Sequence, residues 1–279
     1  VTWRDTLLLL MCNNADKVVF LHAETMKELC RPLTENVGIP RYAAVVGDYA
    51  YITCWQKVNK KKQVVDVSHQ LMKVNLRTKQ VEKSLAVTAQ PEGIVYCEGE
   101  LFVASGNGLD VFDTATDELL IHINSQFTGD AQQVVLDKNK RVWLSVGSYT
   151  PGQSGFMVVD AATKAIVQQL PEPKLTYEGD IALTMGRDSL LFLSSDGVVG
   201  GQSAEVPTAI YAVDVATYQT SAQVLVNGYG FYGLGVNPAN GATYTANVNG
   251  FITNSSTYRY SSLGSKLSQF VTGVGACRF

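Results

Sequence analysis

Apolar residues along the chain come in runs of four to seven, alternating or unbroken, and each run stops at a short polar turn. That is the pattern of short β-strands, and no helical periodicity of useful length competes with it. Residues 41–55 (RYAAVVGDYAYITCW) read as two strands around Gly47-Asp48. The same strand, turn, strand pattern returns at 92–105, 132–146, 180–194 and 232–246.

A second mark recurs along the chain, a strand ending in Asp, Asn or His, then two residues and Thr. It occurs at His22 and Thr25, Asn75 and Thr78, Asp113 and Thr116, Asp160 and Thr163, and Asp214 and Thr217. Asp and Asn at such corners accept backbone N–H groups two or more residues on, and Thr adds a similar bond, so the turn is satisfied locally. His22 is read as a variant of this turn and not as a ligand.

Together the marks give four strands per unit, repeated about every 40 to 50 residues, a spacing typical of solenoids and propellers. Four-stranded antiparallel meanders can bury their faces by stacking radially, which leaves only short protected edges. The expected fold is therefore all-β, a β-propeller forming one domain over residues 1–279 with six blade units visible. Residues 1–11 (VTWRDTLLLLM) align with 184–194 (TMGRDSLLFLS), so the chain starts late in a first strand. Residues 275–279 (GACRF) could open that strand and close the ring, and a missing upstream blade would raise the number to seven.

Within a meander, the turns joining strands one to two and three to four share one end, and these are tight throughout. The other end carries the longer segments 55–67, 148–154, 195–207 and 247–256, with inter-blade segments 32–40 and 171–179. Long loops on a rigid scaffold are where binding residues concentrate. This end also collects Arg41, Tyr42, Trp55, Tyr149, Tyr177, Tyr229, Phe231, Tyr232, Phe251 and Arg278. Aromatic rings with polar handles, and Arg with its planar fork, suit ligand or protein contact, so these ten are the candidate ligand-binding residues.

Charge and composition narrow the partners. A net charge of −3 argues against nucleic acid, which is bound through basic surfaces. Lys57, Lys60, Lys61 and Lys62 read as a solvated loop tip. The five cysteines lack metal-site spacing and are expected to be mostly buried thiols. The apolar run 7–11 is far too short for a transmembrane segment. Neither a catalytic constellation nor a metal or cofactor is expected, because His22, His69 and His122 fall at unrelated repeat positions. Glu92, Asp130, Glu178 and Asp180 stand at inner-strand entrances, either as a cation-binding or acid-base ring or, as favoured here, as solvated carboxylates about a wet channel.

Tyr51-Ile52-Thr53-Cys54, after Asp48 and with Pro40-Arg41-Tyr42 upstream, resembles the YVTN-type repeats of bacterial surface-layer and related exported propellers. The last blade, FYGLGVNP followed by TYRYSSLGSKLSQFVTGVGACRF, resembles secreted or lipid-anchored propellers of gut bacteria, which include cobalamin-capture lipoproteins. The resemblance implies a propeller exported to the cell surface or periplasm. It further implies a non-enzymatic binder that captures a small ligand such as cobalamin or another corrinoid, or that docks on an outer-membrane transporter. A propeller enzyme of lyase or quinoprotein type, and a pure protein-interaction scaffold, are the alternatives.

Overall fold

The computed structural model describes the chain apart from residues 5, 60, 62, 67, 68, 151, 176, 178, 179, 198–205 and 277–279. The protein is a β-propeller of six blades, essentially all β. Among the described residues the only helical turns are two three-residue 3-10 segments, Asn13–Ala15 and Asn249–Phe251. Among the described residues no helix is long and apolar enough to cross a membrane. The chain divides into two compact units, Val1–Asn124 and Ser125–Phe279.

The first unit holds three blades. Strands β1 (Thr2–Trp3), β2 (Leu7–Cys12) and β3 (Lys17–His22) form the first. Beyond β3, isolated bridges from Val18 to Leu33 and from Leu21 to Glu28 occupy the outer-strand position. The second blade is β4 (Gly38–Val46), β5 (Tyr49–Val58), β7 (Gln70–Asn75) and β8 (Gln80–Ala86), with β6 (Val64–Asp66) paired to the far end of β5. The third is β9 (Pro91–Cys97), β10 (Glu100–Ser105), β11 (Gly108–Asp113) and β12 (Leu119–Asn124).

The second unit continues the pattern. Its blades are β13 (Asp130–Leu136), β14 (Arg141–Gly147), β15 (Gly155–Asp160) and β16 (Ile166–Pro171), then β17 (Ile181–Leu183), β18 (Ser189–Ser195), β19 (Pro207–Asp214) and β20 (Val226–Tyr229). The last is β21 (Phe231–Val236), β22 (Thr243–Asn247), β23 (Ser255–Tyr260) and β24 (Lys266–Thr272).

In both units the core lies between consecutive blades. Leu7, Leu9 and Phe20 of the first blade pack on Ile52, Cys54 and Met72 of the second. Trp143 and Phe156 pack on Leu190 and Phe192. Middle strands such as β10 and β14 are buried on both faces and therefore read as continuous apolar runs. Outer strands such as β24 are exposed along most of their length. Burial pushes the Cys54 thiol up to about 12, so it stays protonated and behaves as an apolar side chain.

The corners follow one geometry. In each, the residue four positions after the Asp, Asn or His takes a left-handed conformation: Met26, Lys79, Asp117, Lys164 and Tyr218, with φ between 57° and 61°. Each donates its N–H to the corner carbonyl at 2.7 to 2.9 Å. His22 fits the series, since its Nδ1 accepts the N–H groups of Glu24 and Thr25, both at 3.3 Å.

One expected loop is a strand pair. Segment 55–67 extends β5 to Val58 and returns as β6, with the Asn59 side chain accepting the N–H groups of Lys61 and Gln63 at the tip. Lys61 is exposed there, while Lys60 and Lys62 lie outside the described residues. The expected closure through residues 275–279 falls largely on 277–279, which also lie outside them.

Candidate functional site

A β-bulge recurs where the inner strand of a blade begins. In the second blade Pro40 faces Cys54 and Ala43 faces Ile52, so Arg41 and Tyr42 together oppose Thr53. By the same count Glu92 and Gly93 oppose Ala104, Gln132 and Gln133 oppose Ser145, and Tyr232 and Gly233 oppose Ala246. Two residues against one bend the strand and re-aim a side chain, a device found at sheet ends that carry function. Where the facing residue has a hydroxyl, the bulge is satisfied from it. Thr53 Oγ1 accepts the N–H of Tyr42 at 3.0 Å and donates to the Glu92 carbonyl at 2.9 Å, and Ser145 Oγ accepts the N–H of Gln133 at 3.1 Å.

In the first unit this geometry assembles Arg41, Tyr42 and Trp55. Arg41 Nε donates to Glu92 Oε2 at 2.9 Å, with the Glu92 side chain only 8% exposed. The guanidinium carbon sits 4.6 Å from the Trp55 ring centroid and 6.0 Å from that of Tyr42. Trp55 is fixed in turn, its Nε1 donating to the Pro91 carbonyl at 3.0 Å.

The second unit presents two aromatic pairs. Tyr149 stacks on Tyr177 with centroids 4.2 Å apart and planes 16° from parallel, while Tyr177 donates its hydroxyl to Asp130 at 2.9 Å. Tyr149 is nevertheless 62% exposed. Tyr232 meets Phe251 edge to face at 4.9 Å. Tyr229 is exposed, and Phe231 departs from its expected role. Its ring is buried, packs on Tyr258 and closes over Gly228, where an added Cβ would clash with the ring. Phe231 is thus part of the blade interior. Arg278 lies outside the described residues.

Of the carboxylates expected to be solvated, Asp130 is exposed, whereas Glu92 and Asp180 are buried. Glu92 is taken up by Arg41, and Asp130 by Tyr177. Asp180 is buried and accepts the N–H of Leu234 at 2.9 Å, joining its blade to the next. Burial pushes its pKa up to about 8, against the N–H donors of Leu234 and Ile181. Glu178 lies outside the described residues. His22, His69 and His122 sit apart: His69 Nδ1 bonds the Trp55 carbonyl and His122 Nδ1 the buried Asp110.

The bulges, Glu92 as the partner of Arg41, and Asp130 as the partner of Tyr177 were not anticipated from sequence. A usable signal existed, the pair of residues between an opening residue and the apolar run in PRYAAVV, PEGIVY, AQQVVL and FYGLGV.

Comparison with known proteins identifies the same scaffold. The family described as "Domain of unknown function (DUF5074)" matches residues 2–269. No curated protein sequence matches the chain. Among solved structures, hydrazine synthase of Kuenenia stuttgartiensis is similar with a TM-score of 0.77 at 16% identity, over 98% of this chain and 85% of that one. The computationally designed Ika8 protein gives 0.63 at 11% identity, over 99% and 75%. The calcium-binding protein regucalcin of Agrobacterium tumefaciens gives 0.58 at 13% identity, over 82% and 73%. At these identities the likeness is one of fold.

Proposed function

We propose that this chain, which belongs to the DUF5074 family of domains of unknown function, is an exported, non-enzymatic binding propeller that captures a small ligand at the loop-bearing ends of its blades. The observation that carries this reading is Tyr149, 62% exposed yet stacked on a tyrosine that is itself tethered to Asp130. A large ring held in one orientation without being packed into the core is a preorganised contact surface, because the entropy of ordering it is already spent before a ligand arrives.

A non-enzymatic role is supported by the way the polar groups at these ends engage one another. Arg41 pairs with Glu92, Asp130 with Tyr177, and Asp180 with the N–H of Leu234. Cobalamin or a related corrinoid is the proposed ligand, and the cell surface or periplasm the proposed location. Both rest on the resemblance of the last blade to surface propellers of gut bacteria. Docking on an outer-membrane transporter would use the same aromatic and Arg-bearing ends.

Calorimetric titration of the protein with a panel of corrinoids tests the reading. Heat of binding is expected for at least one corrinoid, weakened in a Tyr149→Ala variant whose unfolding transition remains cooperative. Absence of heat with every corrinoid removes the corrinoid assignment. Undiminished affinity in Tyr149→Ala removes the stacked tyrosines as the contact surface.

A further inference from the structure

Arg41 carries a feature that its ion pair does not use. A guanidinium has five N–H donors in a planar fork. Only Nε is engaged, by Glu92 at 2.9 Å, and among the described residues the two terminal nitrogens hydrogen-bond to nothing. The side chain is 22% exposed, and among the described residues the two terminal nitrogens are not among the buried polar atoms left without a partner, so the distal edge of the fork reaches solvent.

The orientation of that edge is fixed from two sides. The Glu92 contact fixes the side of the guanidinium, and the indole of Trp55 at 4.6 Å supports one of its faces. Both supports are anchored, Trp55 by the Pro91 carbonyl and the Glu92 backbone by Thr53 Oγ1. An Arg that is stacked and tied at Nε, with its end-on donors open, is organised to receive two oxygens of one planar or tetrahedral anion in parallel hydrogen bonds.

We infer that Arg41 anchors an oxyanion group, a carboxylate or a phosphate, carried on a ligand whose apolar body rests against Trp55 and Tyr42. The inference deepens the small-ligand reading above and rests on it. Glu92 tempers the positive charge, so a bare anion binds weakly and the apolar body supplies the rest of the affinity.

The Trp55 indole N–H gives a local readout by NMR, assigned by its loss in Trp55→Phe, with the Trp3 and Trp143 indoles as controls for global change. The probes are benzoate, phenyl phosphate and neutral benzyl alcohol, titrated into the intact protein at millimolar concentrations. The Trp55 signal is expected to shift with benzoate or phenyl phosphate and not with benzyl alcohol, the stronger of the two anions naming the group. Arg41→Lys, which keeps the charge and loses the fork, is expected to weaken that response at least about tenfold, and Arg41→Gln to remove it, with the other two indole signals in place. No shift with either anion, or an equal response in Arg41→Gln, overturns the inference. Corrinoid heat that persists in Arg41→Gln would overturn the anchor alone and leave the binding reading standing.

Discussion

The hydroxyl of Tyr177 donates to the Asp130 carboxylate across 2.9 Å, and the ring so held lies 4.2 Å from Tyr149 and nearly parallel to it. Exposed side chains normally change rotamer on the picosecond to nanosecond scale. Tyr149 instead has a partner worth about 0.5 to 1.5 kcal/mol beyond simple burial. A fluorotyrosine at position 149 is therefore expected to show a ring-current shift in its 19F spectrum, largely abolished by Tyr177→Leu. An unchanged spectrum in that variant would mean the stack does not persist in solution.

Asp180 sets a pH dependence. Its folded pKa is raised from 3.8 to about 8, with burial as the main cause. Between those two values the unfolded chain has given up the proton that the folded protein keeps. This group's contribution to stability is full below 3.8, declines as pH rises, and levels off above about 8. Asp180→Asn removes the titration. Thermal unfolding should show the variant gaining on the wild type as pH rises from 5 to 8, about 1.4 kcal/mol per pH unit at most; parallel pH profiles would contradict it.

Asp117 joins the second and third blades. It accepts from Lys73 at 2.9 and 3.0 Å, from the Tyr51 hydroxyl at 2.8 Å and from Lys83 at 3.5 Å. Burial alone would raise its pKa, but Lys73 and Tyr51 hold it below the usual value. Asp117→Ala strands the largely buried Lys73 ammonium and is expected to cost about 3 kcal/mol in urea unfolding. Lys83, 49% exposed, is a different matter. Lys83→Ala should cost no more than about 0.5 kcal/mol, and equal losses in the two variants would refute this division.

The repeats were legible because their causes are local. Asp113 satisfies the N–H groups of Ala115 and Thr116, and Asp214 those of Ala216 and Thr217, within a few residues of sequence. His22 could be placed in the series for the same reason. The site was legible only as residue types. Arg41 and Glu92 are 51 positions apart, and nothing local says that they meet. Phe231 and Tyr232 are adjacent aromatics, yet one is buried and the other partly exposed, a distinction set by packing against Tyr258 and Phe251. Segment 55–67 reads as a loop because its run of Lys and Gln residues hides the short strand pairing of Lys57 with Asp66 and Val58 with Val64.

His22 is the weak member of the corner series. Its Nδ1 accepts two N–H groups at 3.3 Å, whereas Asp113 Oδ1 accepts its pair at 2.7 and 2.8 Å with full charge. His22→Asp should raise the unfolding free energy by up to about 1 kcal/mol. His22→Leu, which has no acceptor, should lower it by about 1 to 3 kcal/mol, scaled down by the partial exposure of the corner. A leucine variant as stable as the wild type would show that the corner does not depend on side-chain capping.

Thr53 links the scaffold to the candidate site. Its hydroxyl accepts the N–H of Tyr42, which the bulge removes from the regular strand pairing, and donates to the carbonyl of Glu92 in the next blade. Thr53 is fully buried, so water does not replace it. Thr53→Ala leaves two backbone groups short of a partner at the base of the Arg41–Glu92 pair, and a loss of about 1 to 3 kcal/mol is expected in denaturant unfolding. Thr53→Ser keeps the hydroxyl and should recover most of it. A second readout separates a mere loss of stability from a disturbed site. The Trp55 indole N–H, whose acceptor is Pro91 beside Glu92, should shift in the alanine variant and return close to its wild-type position in the serine variant. If stability drops while that signal stays in place, Thr53 supports the blade alone, and Arg41 is held without it.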